Sequence, residues 1–277
     1  MKKCEIIAVA NQKGGVGKTT TTFNLGVALA KQNKKVLLVD ADPQADLTTY
    51  IGWHNPDNIP ITLATLMNRA IQDLDINAKE ALIPYDSENI TLLPTNLDLA
   101  SVEVNLVNAM CRENAMRNCL SELKNEFDYI LIDCMPSLGM LTINALSCAD
   151  KVIIPVQPEF LAAKGMSHLM NTISKVRKQI NPNIDISGIL LTMVNERTNL
   201  SKKISEELKE TYGTVFKLFN TKIPRAIKAA ETTRLGQSVI SYDPNSKVSK
   251  AYMDLAKEVI DNEREKGTRD SRIVQTR

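Results

Sequence analysis

The sequence predicts one α/β domain over residues 1–265, with a doubly wound, mostly parallel sheet flanked by helices. Two observations predict this fold. Short apolar runs rich in β-branched residues alternate with longer segments of helical periodicity, the pattern of strand–helix–strand units whose strands are buried on both faces. A glycine-rich segment separates the first apolar run from the first helical segment, which is where such folds commonly bind phosphate groups.

The elements follow in order along the chain. Six apolar runs are predicted to be strands: 5–10, 35–42, 89–95, 128–134, 151–156 and 187–194. The segments predicted to be helical are about 18–32, 62–71, 97–125, 139–148, 164–180, 201–212 and 247–265. In the last helix, Val248, Tyr252, Leu255 and Val259 share one face. Residues 266–277 form a polar tail, which we expect to be flexible.

Charge is unevenly distributed along the chain. Lys and Arg total 34 and Asp and Glu 32, a formal net charge of +2 that indicates no particular partner. Residues 197–277, however, hold 17 basic and 11 acidic residues. A basic carboxyl-terminal third favours a polyanionic partner, although a solvated surface can have the same composition.

Two classes of protein are disfavoured by composition. No apolar run approaches the ~20 residues of a membrane-spanning helix, so we expect a cytoplasmic protein without a membrane partner. The five cysteines show no C-x-x-C spacing. They are therefore expected to be reduced and mostly buried, and not to form a metal or redox site.

The segment "KGGVGKTT" (13–20) follows a predicted strand and opens a predicted helix, as a phosphate-binding P-loop requires. Backbone N–H groups around its glycines can surround phosphate oxygens, and the helix amino terminus adds partial positive charge. Lys18 would reach the β- and γ-phosphates and the Thr19 hydroxyl would ligate Mg²⁺. The predicted nucleotide-binding residues of the loop are Lys13, Gly14, Gly15, Val16, Gly17, Lys18, Thr19 and Thr20.

Lys13 is a second lysine in the loop, and position 12, where a standard P-loop has its first glycine, is Gln. The side chain of Lys13 could fold back onto its own nucleotide or point outward to the phosphates of a second copy. The segment resembles the deviant Walker A motif of the ParA/Soj/MinD ATPases, a class of P-loop NTPases. In that family the early lysine crosses a nucleotide-sandwich dimer, so the resemblance implies catalytic roles for Lys13 and Lys18 and an ATP-dependent homodimer.

Carboxylates follow two of the predicted strands. Asp40 and Asp42 share one direction because side chains alternate along a strand, so one could orient water while the other supports Mg²⁺. The segment "DADPQ" resembles the D-x-D-P-Q of the family, which gives Asp42 the water-positioning role and Asp40 the supporting, metal-side role. Soj-like proteins usually continue with Gly-Asn, where this chain has Ala45-Asp46. "YILIDC" resembles a Walker B strand, and Asp133 is then expected to hold Mg²⁺ through water.

The resemblance also implies which residues contact the base of the nucleotide and which bind DNA. "TMVNERT" has no N-K-x-D guanine-reading element, which favours ATP. "NTKIPRAIK" resembles the Soj segment that lines the adenine pocket. Met193, Asn195 and Pro224 are accordingly assigned to the cofactor. Soj arginines that bind DNA without sequence preference match Arg197 and Lys228, with Arg225, Lys202 and Lys203 as expected neighbours.

The function implied by the resemblance is an ATP-dependent DNA-partitioning ATPase that uses Mg²⁺ and is located on the nucleoid. Its dimer would bind double-stranded DNA non-specifically and be reset when a ParB-like protein stimulates hydrolysis. Two alternatives share the fold. A MinD-like membrane regulator would need an amphipathic carboxyl-terminal helix, but "GTRDSRIVQTR" offers only Ile273 and Val274 as bulky apolar residues. A cofactor-insertion ATPase would be expected to have paired cysteines.

Overall fold

The computed structural model describes residues 4–159, 162–195, 206–207, 210–213, 216–225, 232 and 235–274. The strands are β1 (Glu5–Val9), β2 (Val36–Ala41), β3 (Ile83–Tyr85), β4 (Ile90–Leu93), β5 (Tyr129–Cys134), β6 (Lys151–Val156) and β7 (Asp185–Leu191). They form one sheet in the order β3-β4-β2-β5-β1-β6-β7. All six predicted strands are confirmed, and so is the mostly parallel α/β fold.

Parallel pairing brings the strand ends that carry polar residues to one edge of the sheet. β1 lies between β5 and β6, and β2 lies between β5 and β4, all in parallel. β7 adds to β6 in parallel, and only β3 is antiparallel, on β4. The loop after β1 therefore lies between the loops that follow β5 and β6, where doubly wound sheets bind their ligands.

Helices cover both faces of the sheet. The described α-helices are α1 (Lys18–Ala30), α2 (Asp46–Tyr50), α3 (Leu63–Ile71), α4 (Asp98–Leu106), α5 (Ala115–Leu120), α6 (Met140–Cys148), α7 (Ala162–Gln179), α8 (Val239–Tyr242) and α9 (Lys247–Val274). Single turns of 3₁₀-helix occupy Pro56–Asn58, Ala78–Ala81, Arg112–Asn114 and Leu123–Asn125.

Three element predictions need correction. The single helix expected over 97–125 is divided into α4 and α5, because the chain turns at Cys111, whose φ is 49°. The edge strand β3 was not predicted. α9 continues to Val274, past the boundary predicted at residue 265. Of the helix expected at 201–212, residues 206–207 and 210–212 are helical and the others lie outside the described residues.

The core has two layers, one on each side of the sheet. Ile6 and Ala8 of β1 face the layer formed with α3 to α7, whereas Ile7 faces the layer formed with α1, α2, α8 and α9. Every residue from Thr21 to Ala30 is buried, because α1 lies between the sheet and α9. This double packing fixes the amino terminus of α1, where the glycine-rich loop ends.

Candidate functional site

The glycine-rich loop after β1 leaves an open concavity at the amino terminus of α1. Gly15 and Gly17 have φ values of 70° and 85°, which a side chain would disfavour. Gly17 is the N-cap of α1 and supplies no side-chain cap, so the first N–H groups of the helix remain available to a ligand. A Cβ atom added to Gly14 or Gly15 would meet no other atom within 4 Å. The loop therefore has donors and space for an anion.

Asn11 and Thr192 hold this loop, and the sequence analysis identified neither. The Asn11 amide donates to the carbonyl of Pro155 at 2.6 Å, and its oxygen accepts from Lys13 N–H at 3.0 Å. The Thr192 hydroxyl donates to the Val16 carbonyl at 2.8 Å. Both residues end or follow strands, the one signal that could have identified them. They fix the loop to β6 and β7.

Lys18 lies inside the loop with 7% of its surface exposed. Its ammonium donates to the Lys13 carbonyl at 3.4 Å, a long contact that leaves capacity for stronger acceptors. Burial lowers the pKa of Lys18, and the nearby Asp133 opposes that shift. A buried ammonium at the mouth of an anion-binding loop is suited to phosphate oxygens.

Asp133 is the penultimate residue of β5 and lies in register with Val9 on one side and Asp40 on the other. It is 1% exposed. One carboxylate oxygen, Oδ1, accepts from the Thr22 hydroxyl at 3.4 Å, while Oδ2 is buried with no hydrogen-bond partner in the described part of the chain. Burial and the charge of Asp40 raise the pKa of Asp133 well above its ordinary value, and a hydrogen bond with Thr19 acts in the opposite direction.

These residues fit a hard divalent cation. A buried carboxylate oxygen without a donor is costly, and Mg²⁺, directly or through its water, would satisfy it. Thr19 supplies a hydroxyl oxygen beside it at the first turn of α1. The predicted placement of Thr19 and Asp133 at a metal is thus consistent with the geometry, in which Asp133 has an unsatisfied acceptor.

Asp40 has a different environment from Asp133, although both are fully buried. Its Oδ2 accepts from the Thr48 N–H at 2.8 Å and the Thr48 hydroxyl at 2.7 Å, and its Oδ1 accepts from Asp42 N–H at 3.2 Å. Burial raises the pKa of Asp40 to about 7, against the effect of these donors. Both carboxylate oxygens of Asp40 thus have protein donors. Asp40 therefore holds α2 in place through Thr48 and has no oxygen left open to a metal.

Asp42 lies just beyond the end of β2 and is 9% exposed. Its Oδ1 accepts from Gln44 N–H at 3.1 Å. Burial raises the pKa of Asp42, and the Gln44 donor opposes that shift. The turn continues to Ala45, whose N–H donates to the Asp42 carbonyl at 2.8 Å and whose φ is 54°, a left-handed conformation. This turn leads directly into α2.

Lys13 does not fold back into its own loop. Its ammonium forms an ion pair with Glu159, which follows β6, and the two side chains are 38% and 49% exposed. Glu159 was not among the predicted residues. The two lysines of the loop therefore have separate environments, with Lys18 buried inside the loop and Lys13 partly exposed beside Glu159.

Of the predicted base-binding residues, Met193 lies against the loop. Met193 has a φ of 51°, and its Cε would lie 3.8 Å from a Cβ added to Gly17. Val194 pairs with Pro224 as an isolated β-bridge, and Arg225 N–H donates to the Val194 carbonyl at 3.1 Å. Met193 and Pro224 are thus both connected to the Val194 turn, while Asn195 is exposed at its end.

A small cavity of about 190 Å³ lies beside Pro224 and is lined by Val194, Lys222, Pro224 and Lys247. Lys222, Arg225 and Lys247 are exposed. The sequence analysis named Arg225 but missed Lys222 and Lys247, whose proximity depends on the fold. The other predicted DNA contacts, Arg197, Lys202, Lys203 and Lys228, lie outside the described residues.

The five cysteines are free thiols. Burial raises the pKa of Cys4, Cys119 and Cys148 to about 12, and that of Cys134, beside Asp133, still further. Such thiols are unreactive at neutral pH. Within the described ranges, three or more His, Cys, Asp or Glu side chains nowhere converge as metal ligands, and no helix there is long and apolar enough to cross a membrane.

Comparisons with known proteins agree with this geometry. A family model described as an AAA domain matches residues 4–186. The chain is 42% identical over 261 residues to the sporulation initiation inhibitor protein Soj of Bacillus subtilis, covering 93% of this chain and 99% of that protein. It is 38% identical over 263 residues to the chromosome partitioning protein ParA of Caulobacter vibrioides, covering 94% and 96%.

A solved structure extends the comparison to ligands. The structure of cobyrinic acid a,c-diamide synthase from Mycobacterium smegmatis with a bound ATP analogue and magnesium is 38% identical, with a TM-score of 0.80, over 92% of this chain and 93% of that one. The open loop, buried Lys18 and unsatisfied Asp133 described above fit both ligands. The chain belongs to the ParA/MinD family of P-loop ATPases.

Proposed function

We propose that this protein is an ATP-dependent DNA-partitioning ATPase. Its cofactors are ATP and Mg²⁺, and the ATP-bound form is a homodimer that binds double-stranded DNA without sequence preference. A ParB-like protein stimulates hydrolysis, which releases the dimer and resets the cycle on the nucleoid. The observation that carries this proposal is the outward position of Lys13.

The two lysines divide the work at the phosphates. Lys18, buried in the loop, neutralises the phosphates of its own nucleotide. Lys13 lies on the surface with Glu159, and that exposed contact is easily exchanged for phosphate oxygens. If two copies place their loops face to face, Lys13 of each copy neutralises charge on the other nucleotide as the γ-phosphate leaves, as an arginine finger does.

The remaining residues supply the ordinary needs of phosphoryl transfer. Thr19 and Asp133 would hold Mg²⁺, which would supply positive charge against the phosphates. Asp42 orients the attacking water. Burial raises the pKa of the Asp42 carboxylate, which makes it a better proton acceptor than an exposed aspartate. Asp40 acts through Asp42, because it accepts from the Asp42 N–H and fixes α2 through Thr48.

The exposed cations beside Pro224 support DNA as the track. Lys222 and Lys247 present positive charge to one small cavity from two parts of the chain, and the exposed Arg225 adds a third charge next to Pro224. The predicted contacts Arg197, Lys202, Lys203 and Lys228 belong to the same basic third of the sequence. Contacts from such side chains to phosphates give affinity that depends on salt and tolerates any sequence.

The test is binding to non-specific duplex DNA at several salt concentrations, with a slowly hydrolysed ATP analogue, with ADP or without nucleotide. We expect binding with the analogue only, and its loss in Lys18→Ala. Arg225→Ala should reduce the slope of log affinity against log salt by about one unit. Lys31→Ala is the matched control, because Lys31 is an exposed cation at the opposite end of α1.

Three further results would contradict the proposal. Absence of DNA binding in every nucleotide state would exclude DNA as the track, and sedimentation with liposomes in the presence of ATP would favour the membrane alternative. Normal partner-stimulated turnover by Lys13→Ala would exclude the role of Lys13 in trans.

A further inference from the structure

Asn11 connects the glycine-rich loop to the neighbouring strand β6. The backbone hydrogen bonds between β1 and β6 extend to Ala10, whose N–H donates to the Ile153 carbonyl at 3.1 Å. The Asn11 side-chain amide then donates to the Pro155 carbonyl at 2.6 Å. Asn11 is 5% exposed, and this bond is buried. A side chain thus continues the connection to β6 after the backbone of the loop has turned away.

The other end of the same amide holds the backbone of Lys13. The Asn11 side-chain oxygen accepts from the Lys13 N–H at 3.0 Å. A bond from a side chain to the N–H two residues further on forms an Asx-turn, which fixes the direction of the chain. A carbonyl needs a donor and an N–H needs an acceptor, so the two contacts require one orientation of the amide. Lys13 N–H is therefore joined to β6 through a single short side chain.

The side chain of Lys13 is held by the same end of β6. Its ammonium pairs with Glu159, which lies just beyond β6 and whose own N–H donates to the Gln157 carbonyl at 2.8 Å. Both the backbone N–H and the ammonium of Lys13 are therefore positioned by residues 155–159. This arrangement sets the place of the second lysine relative to the sheet.

The second half of the glycine-rich loop is held by a different strand. Thr192, which follows β7, donates to the Val16 carbonyl at 2.8 Å. A contact between the two halves runs from the Lys18 ammonium to the Lys13 carbonyl, and at 3.4 Å it is long and weak. A change at Asn11 should therefore affect Lys13 more than it affects the half of the loop that leads into α1.

We propose that Asn11 is a positioning residue for Lys13, and that it fixes the backbone from which the lysine side chain reaches the nucleotide of a second copy. This inference rests on the proposed function. A lysine side chain is long and flexible, so the place that its ammonium can reach is defined only if its backbone is fixed. Without the bonds of Asn11, the Lys13 backbone gains freedom that dimer formation must then remove.

The test compares Asn11→Ala with Thr192→Val. Each variant removes a side chain that holds the loop backbone from the end of a strand, but only Asn11 contacts Lys13. Two quantities are measured. The first is the dissociation constant of the dimer at saturating Mg²⁺ and slowly hydrolysed ATP analogue, from sedimentation velocity. The second is the affinity of dilute, monomeric protein for the analogue.

We expect Asn11→Ala to raise the dissociation constant of the dimer about 25-fold, because a symmetric dimer contains the contact twice and one hydrogen bond is worth about fivefold. Its affinity for the analogue should stay within about twofold, since the Val16 half of the loop keeps its own anchor. Lys13→Ala should show the same division with a larger effect on the dimer. Thr192→Val should do the reverse, with analogue affinity about fivefold weaker and a dimer constant within about twofold of the wild type.

Asn11→Ser keeps the test valid if Asn11→Ala folds poorly. A serine hydroxyl can still accept from the N–H two residues further on, but it is too short to reach Pro155, so the dimer constant should rise about fivefold. An unchanged dimer constant in either folded variant, or a loss of analogue affinity as large as the loss of dimer formation, overturns the inference while the proposed function stands. Absence of an ATP-dependent dimer in the wild-type protein overturns the proposed function itself, and this inference with it.

Discussion

Lys13 and Glu159 form an ion pair on the protein surface although 146 residues separate them in sequence. The pair holds the ammonium of the second loop lysine at the carboxyl edge of the sheet, next to the residues that follow β6. Exposed ion pairs of this kind contribute about 0–1 kcal/mol to stability, so the contact orients Lys13 but is easily broken. A stronger acceptor, such as the phosphates of a second copy, would displace Glu159.

We predict that Glu159→Gln favours dimer formation with ATP, because it removes the carboxylate that competes for Lys13. The concentration at half dimerisation, measured by sedimentation velocity, should fall by up to about fivefold. Glu126→Gln is the control, since it removes an exposed pair with Lys79 elsewhere on the domain. Weaker dimerisation of Glu159→Gln would show that Glu159 acts within the dimer and does not restrain the monomer.

Asp133→Asn should separate folding from metal binding. Without ligands, the variant should melt at a higher temperature than the wild type, because a buried carboxylate with one unsatisfied oxygen is replaced by a neutral group. The added stability that Mg²⁺ with nucleotide gives to the wild type should be largely lost. Thermal melts with and without these ligands test both, with the exposed Asp86→Asn as control. A full Mg²⁺ effect in Asp133→Asn would argue against the metal role.

Asp40 should make the ligand-free protein less stable as pH rises. Its folded pKa of about 7 lies above the unfolded value near 3.9. Between about pH 4 and 7 the folded state therefore binds more protons than the unfolded state, and the free energy of unfolding falls across this window. Asp133 and Asp42, whose pKa values are also raised, act in the same direction.

Urea unfolding at pH 5, 6, 7 and 8 measures this dependence. Asp40→Asn should show a shallower fall than the wild type. The slopes are compared, and not the absolute stabilities, because the new amide also alters the hydrogen bonds with Thr48. Parallel slopes for the two proteins would mean that Asp40 is ionised throughout.

Ala45→Gly should cost little stability although Ala45 is 3% exposed. A left-handed conformation costs an L-residue about 1–2 kcal/mol, and glycine avoids that strain. This gain offsets two costs of the glycine variant, the loss of a buried methyl group and the greater flexibility of its unfolded chain, each on the order of 1 kcal/mol. The same change at Ala41 in β2 lacks this compensation and should destabilise the protein clearly. Chemical denaturation of both variants tests the difference.

Residue pattern alone predicted most of the sheet, because buried parallel strands are continuous apolar runs. β3 escaped prediction because Ile83-Pro84-Tyr85 is only three residues long and its central proline interrupts the apolar run. The break between α4 and α5 escaped because no glycine or proline marks it, and Cys111 adopts the left-handed conformation instead.

The site residues that could be predicted are those that lie in one short sequence motif. Lys18, Thr19 and the loop glycines are recognisable within eight consecutive letters. Thr192 and Glu159 contact the same loop from 176 and 146 residues away, and their only local signal is that they follow the ends of β7 and β6. Lys222 and Lys247 likewise become neighbours only when β7 and α9 are folded.

The burial of α1 between the sheet and α9 sets an order of events during synthesis. The ribosome makes the P-loop helix near the start of the chain, whereas Tyr252 and Leu255, which complete its second layer, emerge more than 200 residues later. Until then one apolar face of α1 lacks its covering helix. A nascent chain that has not yet released α9 therefore carries a P-loop helix with one uncovered face, and its nucleotide site is completed only after α9 has been made.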